Sequence, residues 1–204
     1  ALSEETTGEY SVAVGYQALA VQNSTTGASM YNTAVGYKAG FSVTTGTQNT
    51  FIGGLAGDVL TASDYNVAVG YSSLSTDTLG ARSVAVGHEA LASQNFTTAT
   101  ISYNTAVGMQ AGRLVTTGTQ LTLIGYNSGT ALTTGATNTA VGTNSLASDT
   151  LGSKSTAIGV QALNTQNFTT ATDTYNVALG HQASLNVTTG VHNTIVGANA
   201  GDAF

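Results

Sequence analysis

Cysteine, proline and tryptophan are absent from this chain, and only four basic and ten acidic residues occur among its 204. Without cysteine there is no disulfide framework and no thiolate metal site. The cations Lys38, Arg82, Arg113 and Lys154 are dispersed and the net charge is −6, which excludes the clustered Lys/Arg surface that nucleic acid requires. No apolar run reaches the length of a membrane span, so nothing in the sequence reads as a membrane-spanning helix. No 3.6-residue apolar period appears, so helices are not expected. Residues 1–10 are acidic and polar, with neither a basic start nor an apolar stretch. Any signal peptide or anchor is therefore expected outside this sequence.

What the chain has in abundance is repetition. A string of small-polar, β-branched, Ala, aliphatic and Gly recurs eleven times, ending at Gly15, Gly36, Gly53, Gly70, Gly87, Gly108, Gly125, Gly142, Gly159, Gly180 and Gly197. The glycines follow one another at a 17-residue step, lengthened by a four-residue insertion before Gly36, Gly108 and Gly180. Four rungs carrying one insertion thus make a 72-residue superrepeat. Fixed periodicity of this kind marks a solenoid, whose units bury apolar surface by stacking on one another. The fold expected is all-β: a β-solenoid of eleven 17-residue rungs forming one elongated domain over residues 1–204. Residues Gly201-Asp202-Ala203-Phe204 repeat the phase of Gly57-Asp58-Val59-Leu60, so the sequence reads as a segment of a longer fibre or as a subunit that stacks on a neighbour.

With the motif glycine as position 0, position −1 is Val, Ile or Leu and position −3 is Val or Thr in every rung. Position −2 is Ala, except where Phe51, Leu123 and Ile195 replace it at 72-residue intervals. Positions −3 to −1 read as a strand that is apolar on both faces, and such a strand is covered on both. One face is the solenoid interior and the other is expected against another subunit, with Phe51, Leu123 and Ile195 as the candidate interface anchors. A second strand is expected at Val43-Thr44-Thr45-Gly46, Val115-Thr116-Thr117-Gly118, Leu132-Thr133-Thr134-Gly135 and Val187-Thr188-Thr189-Gly190. Its glycine, at −7, reads as a positive-φ turn residue. Asn or Ser at −4, in every rung except that of Leu121, is expected to stack into a hydrogen-bonded ladder. At about 4.8 Å per rung, eleven rungs would make a rod on the order of 50 Å long.

The strings Ser83-Val84-Ala85-Val86-Gly87-His88-Glu89-Ala90, Ser11 to Ala18 and Asn32 to Ala39 resemble the head repeat of trimeric autotransporter adhesins, the YadA-like heads. Similar repeats occur in phage tail-fibre proteins. The resemblance extends over essentially the whole chain, although the rung is longer than the one usual in the family. It implies a left-handed parallel β-roll, three chains around one axis, and an adhesive role at the cell exterior, on a cell surface or on a virion fibre.

The inserted turns are the strongest functional candidates. They begin at Gln22-Asn23-Ser24-Thr25, Gln94-Asn95-Phe96-Thr97 and Gln166-Asn167-Phe168-Thr169, and each is followed by a tyrosine, Tyr31, Tyr103 or Tyr175. Their four-rung spacing would place them about 19 Å apart on one side of the rod. The candidate binding residues are Asn23, Ser24, Tyr31, Asn95, Phe96, Tyr103, Asn167, Phe168 and Tyr175. A polar loop carrying an aromatic suits glycan or protein contact, unless these aromatics fold back over local apolar surface. His88 and His181 follow their motif glycines, where other rungs carry Tyr, and read as members of an outward aromatic column. A surface ion pair is expected between Arg82 or Lys154 and Asp77 or Asp149, which precede them in the same turn region. No rung offers two facing carboxylates, which glycosidase chemistry needs.

The function that follows is non-enzymatic, with no catalytic, cofactor or metal site: a rigid fibre or adhesin segment, homo-oligomeric and most simply trimeric, presenting loops to a surface glycan or protein. The alternatives are a subunit that polymerises head to tail, and an ice-binding or small-ligand-binding solenoid. The last is prompted by pairs such as Thr44-Thr45, although its threonine column breaks at Ala62 and Leu79.

Overall fold

The computed structural model describes residues 1–25 and 27–202. It is all-β, with no helix among these residues. The motif strands stack in parallel, one per turn, as a β-solenoid, and the chain divides into two units, Ala1–Tyr103 and Asn104–Phe204. The first unit contains five motif strands: β1 (Val12–Val14), β2 (Thr33–Val35), β3 (Thr50–Ile52), β4 (Val67–Val69) and β6 (Val84–Val86). A two-residue pair, β5 (Gly80–Ala81) and β7 (Thr100–Ile101), accompanies them. The second unit contains six: β8 (Thr105–Val107), β9 (Thr122–Ile124), β10 (Thr139–Val141), β12 (Thr156–Ile158), β14 (Val177–Leu179) and β15 (Thr194–Val196). Its short pair is β11 (Gly152–Ser153) and β13 (Thr172–Asp173).

Within each unit, each motif strand pairs with the same offset of the next, as in Val12↔Thr33, Ala13↔Ala34 and Val14↔Val35. Repetition of one sequence fixes this register, because a one-residue slip would turn every inward alanine outward. The motif glycine ends each strand for two reasons. At Gly36 φ is +142°, which disfavours a side chain, and a Cβ there would lie 2.5 Å from the carbonyl oxygen of Gly53.

The −2 side chains point inward. Ala34, Phe51, Ala68, Ala85, Ala106, Leu123 and Ala140 are all fully buried. Where −2 is Ala, position +4 often carries a leucine that fills the interior, as at Leu19, Leu74 and Leu91. Where −2 is large, +4 is emptied. A Cβ on Gly57 would run into the Phe51 ring, and one on Gly129 would meet Leu123 Cδ2 at 2.7 Å. Gly40, at +4 of the turn before Phe51, is emptied as well, since a Cβ there would meet Phe51 Cδ2 at 2.6 Å. Close-packed interiors require this trade of volume between neighbouring positions.

The asparagine ladder forms at −4. In the first unit, Oδ1 of Asn32, Asn49 and Asn66 accepts from the backbone N–H of Asn49, Asn66 and Ser83, each at 2.9 Å. The amide group of each asparagine donates onward to the −7 carbonyl of the next turn: Asn32 to Gly46, Asn49 to Ser63 and Asn66 to Gly80. In the second unit Asn104, Asn138 and Asn176 serve Leu121, Ser155 and Asn193 in the same way. Each side chain thereby satisfies two buried backbone groups that no strand ladder reaches.

Two local expectations are corrected. The segments at Val43–Gly46, Val115–Gly118, Leu132–Gly135 and Val187–Gly190 are bends and not strands. The chain curves there, so that Thr44 and Gly46 both donate to the single carbonyl of Thr61 (3.0 and 3.3 Å), and Thr116 and Gly118 both donate to that of Thr133 (2.9 and 3.2 Å). A strand ladder would alternate acceptors. Nor does the glycine at −7 adopt positive φ. It is required by proximity, since a Cβ on Gly118 would lie 2.5 Å from the Gly135 carbonyl oxygen.

Candidate functional site

Because −2 and −4 point inward, the β-branched −3 and −1 side chains point out. They are uncovered: Val35, Ile52, Val107, Ile124, Ile158, Leu179 and Val196 are all exposed, with Ile52 at 41%. The residues at −5 and +1 flank this strip. Tyr10, Tyr31, Tyr65, Tyr103 and Tyr175 stand on one border, and Tyr16, Tyr37, Tyr71 and Tyr126 on the other; all are exposed. Among the described residues, only Ile101, Leu114 and Val191 of the exposed large apolar side chains lie elsewhere. The distribution is therefore not scatter but a continuous apolar face in each unit, and faces of this kind mark interaction surfaces.

The borders are ladders. Tyr10 stacks on Tyr31 with centroids 5.1 Å apart, Tyr16 on Tyr37 at 5.6 Å, and Tyr71 on His88 at 5.6 Å. Parallel in-register turns bring equivalent side chains to about 4.8 Å, which suits stacked rings. Every residue at −5 has a left-handed backbone, with φ between 50° and 65° across Tyr10, Tyr31, Gln48, Tyr65, Arg82, Tyr103, Gln120, Thr137, Lys154, Tyr175 and His192. The chain turns this corner into the strand, and the corner side chain projects into solvent.

The insertions are built on buried polar pairs at +7. Asp77 and Gln94 are both fully buried. Asp77 Oδ1 accepts from the N–H of Gly80 (3.1 Å) and of Phe96 (3.0 Å), while Oδ2 accepts from Gln94 Nε2 (2.6 Å). The same set recurs at Asp149, with Gly152 (3.0 Å), Phe168 (3.1 Å) and Gln166 (2.6 Å). At the start of the chain Glu5 takes this place, accepting from Gly8 (2.6 Å), Ser24 (3.1 Å) and Gln22 (2.9 Å). Burial is the largest single influence on Glu5 and favours its neutral form, but the hydrogen bonds from Gly8, Gln22, Thr7 and Ser24 together outweigh it and hold its carboxyl below the ordinary value. In rungs that neither carry an insertion nor precede one, +7 is apolar: Val43, Leu60, Val115 and Leu132. Beyond the pinned root the second and third insertions run alongside the preceding turn through the parallel pairs β5 with β7 and β11 with β13, and the first through a single parallel bridge, Glu9 to Ser29.

The structure sorts the site residues read from sequence. Phe51 and Leu123, read as interface anchors, instead fill the interior of their own turns and are fully buried; Ile195, at the same offset, is half-buried. The sequence is apolar on both strand faces, and what decides between them is the glycine emptied opposite each large residue. Phe96 and Phe168 fold inward and are buried, with Phe96 covering Gly80, whereas Tyr31, Tyr103 and Tyr175 stay exposed. Ser24 is buried and donates its N–H to Glu5. Asn23, Asn95 and Asn167 accept from Thr6, Thr78 and Thr150 of the preceding turn. The ion pair expected between Arg82 or Lys154 and Asp77 or Asp149 does not form, because those carboxylates face inward. Lys154 binds Asp173 instead, at 2.6 Å, and Tyr175 Oη at 3.0 Å. These two contacts, Asp173 first, raise the lysine pKa above its ordinary value. Reading the sequence alone misses the buried carboxylates as parts of the insertion. Their signal is the recurrence of Glu5, Asp77 and Asp149 in step with the superrepeat, each followed one rung later by a glutamine, Gln22, Gln94 or Gln166.

Two stretches of the chain, residues 7–26 and 79–100, match the family model of the YadA head domain repeat. They begin one superrepeat apart, and each spans a motif strand with the turn that leads into an insertion. These two stretches thus carry YadA-like head repeats. No curated protein and no solved structure matches the chain. No helix among the described residues is long and apolar enough to cross a membrane.

Proposed function

Because the chain carries YadA-like head repeats, we propose that it is a non-enzymatic segment of a surface adhesin or fibre, in which three copies pack through the −3/−1 strand face and present their inserted turns for attachment. The observation that carries this reading is the uncovered apolar face. Thr33, Val35, Thr50 and Ile52 stand outward in adjacent turns with no element of their own chain over them. Another copy of the chain fits this surface better than an unrelated partner does. Its knobs recur at the same rise of about 4.8 Å, so that every turn meets an equivalent turn. Burying the face takes apolar surface from water in each copy, at roughly 25 cal/mol per Å².

The inserted turns suit a presenting role because they are held firmly at the root and exposed beyond it. Thr97, Thr98 and Ala99, and in the second unit Thr169, Thr170 and Ala171, are exposed. Asn95 with Tyr103, and Asn167 with Tyr175, frame these tips, as Asn23 and Tyr31 frame the first insertion. Loops on a rigid scaffold are where binding residues concentrate. The partner in this reading is a glycan or protein of a cell surface.

Absolute mass by light scattering tests the assembly. About three times 20.4 kDa is expected, and a stable monomer across a wide concentration range would overturn it. Binding to intact cells, lost when the two tips are replaced by Gly-Ser but with the mass unchanged, tests the presenting role.

A further inference from the structure

We propose that the corner at Arg82 is a binding site for a carboxylate-bearing sugar, the carboxylate held by the guanidinium and the sugar ring by the flanking tyrosines; this rests on the reading of the insertions as attachment surfaces. The guanidinium lies between two exposed rings, its carbon 5.5 Å from the centroid of Tyr65 and 5.8 Å from that of Tyr103. One nitrogen donates to Tyr103 Oη at 3.1 Å. A guanidinium offers five donors in a rigid fork. Here it is clamped by aromatic contacts, and among the described residues it has no ion pair. Asp64, which adjoins Tyr65 in sequence, is engaged elsewhere, its Oδ1 accepting from the N–H and the hydroxyl of Thr47.

The equivalent corner one superrepeat later shows what such a place holds. There Lys154 stands at the position of Arg82 and Tyr175 at that of Tyr103, and the ammonium lies 5.0 Å from the Tyr175 centroid. That cation is already occupied by a carboxylate, because Asp173 Oδ2 lies 2.6 Å from Lys154 Nζ. The residue matching Asp173 in the first unit is Ile101, at the end of β7 and 47% exposed. One repeat therefore carries its own carboxylate on the cation, and the other has an apolar side chain in its place. An external carboxylate fills the gap at Arg82, with Ile101, Tyr65 and Tyr103 supplying apolar surface for C–H groups of a sugar ring. Arginine with stacked aromatics is the combination that binds a carboxylate and a ring together.

The two corners give a matched test on the full chain in its native assembly, with oligogalacturonate as the probe and a neutral glucose oligomer of equal length as the control. Binding of oligogalacturonate that is at least tenfold tighter than the control is expected. It should be lost in Arg82→Gln and in Ile101→Asp, which installs the internal carboxylate of the second unit. Asp173→Ile should add a second class of sites by freeing Lys154. Circular dichroism and light scattering confirm that each variant keeps its fold and mass. Equal binding of acidic and neutral oligomers, retention in both Arg82→Gln and Ile101→Asp, or preference for a sulfated oligomer over the carboxylate would each overturn the proposal. A chain that fails to take up oligogalacturonate but still adheres to cells through its insertions overturns this inference alone. A chain that binds neither cells nor glycans overturns the adhesin reading with it.

Discussion

Asp77 and Gln94 meet inside the solenoid, carboxylate to amide at 2.6 Å, in a layer where neighbouring turns place Leu60 or Val43. The pair is the root of an insertion, because the other carboxylate oxygen holds the N–H groups of Gly80 and Phe96. Replacing Asp77 with Ala leaves three buried donors short of an acceptor, and a single such loss costs about 1–3 kcal/mol. Hydrogen exchange at Gly80 and Phe96 should accelerate by an amount equivalent to roughly 3 kcal/mol of local opening, while amides of β3 change little. Unchanged protection at Phe96 would show that the carboxylate does not pin the turn.

A second test concerns volume. Phe51→Ala removes a fully buried ring and should cost about 3–5 kcal/mol. Gly57→Leu alone should also destabilise, by about 1–3 kcal/mol, since its side chain would run into Phe51. Combined, the two substitutions turn the rung into a copy of the next one, where Ala68 faces inward and Leu74 fills the space from a left-handed backbone of φ 49°. The double variant should therefore be more stable than Phe51→Ala alone, as read by denaturant titration. Additive losses would show that these positions do not share one space.

The period, the strand and the asparagine ladder are all legible in the sequence because each is a column that repeats without exception, or nearly so. The orientation of the strand is not, since Val and Ile on one face and Ala, Phe and Leu on the other give no polar alternation to read. The deciding signal lies between columns: Gly40 and Gly57 flank Phe51, and Gly112 and Gly129 flank Leu123, whereas Leu19 and Leu91 accompany Ala13 and Ala85. The expected second strand fails because Val-Thr-Thr fits strand propensity while the real constraint there is close approach of backbones at Gly46 and Gly118. A carboxylate in a sparsely charged chain suggests solvent, which is why Asp77 reads as a surface partner of Arg82. Its burial depends on Gln94, one full turn away, which no local pattern brings into view.

The exposed face gives a third prediction. Val35→Asp with Ile52→Asp places two charges on adjacent outward positions and leaves the interior alone. Light scattering should shift toward the 20.4 kDa of one chain, with the β-sheet circular dichroism signal retained. An unchanged mass would remove this face from the interface, because a like-charged pair repeated in every copy cannot be buried cheaply.

Acid should loosen the beginning of the chain. The folded-state pKa of Glu5 lies below its ordinary value of 4.5. Its stabilising contribution is therefore complete above the unfolded value and is lost as pH falls through the depressed folded one. Exchange protection at the N–H groups of Gly8 and Ser24, which donate to Glu5, should hold above the ordinary value of 4.5 and be lost as the pH falls through the lowered one. Glu5→Gln should abolish that pH step; a step that persists in the variant would assign it to another group.

Asp58 has the opposite sign. Burial raises its pKa, only partly countered by its own backbone N–H and the charge of Lys38, and one of its carboxylate oxygens has no hydrogen-bond partner. A raised folded-state pKa means that the neutral form is the one the fold prefers, so stability is greatest below the unfolded value and falls as pH rises through the folded one. Asp58→Asn keeps the shape and removes the charge. It should raise the melting temperature at pH 7, and the gain should vanish at pH 3, where the native aspartate is itself protonated. A variant that is less stable at pH 7 and equally stable at pH 3 would mean that the ionised carboxylate is held favourably after all, by Lys38 acting more strongly than burial opposes it.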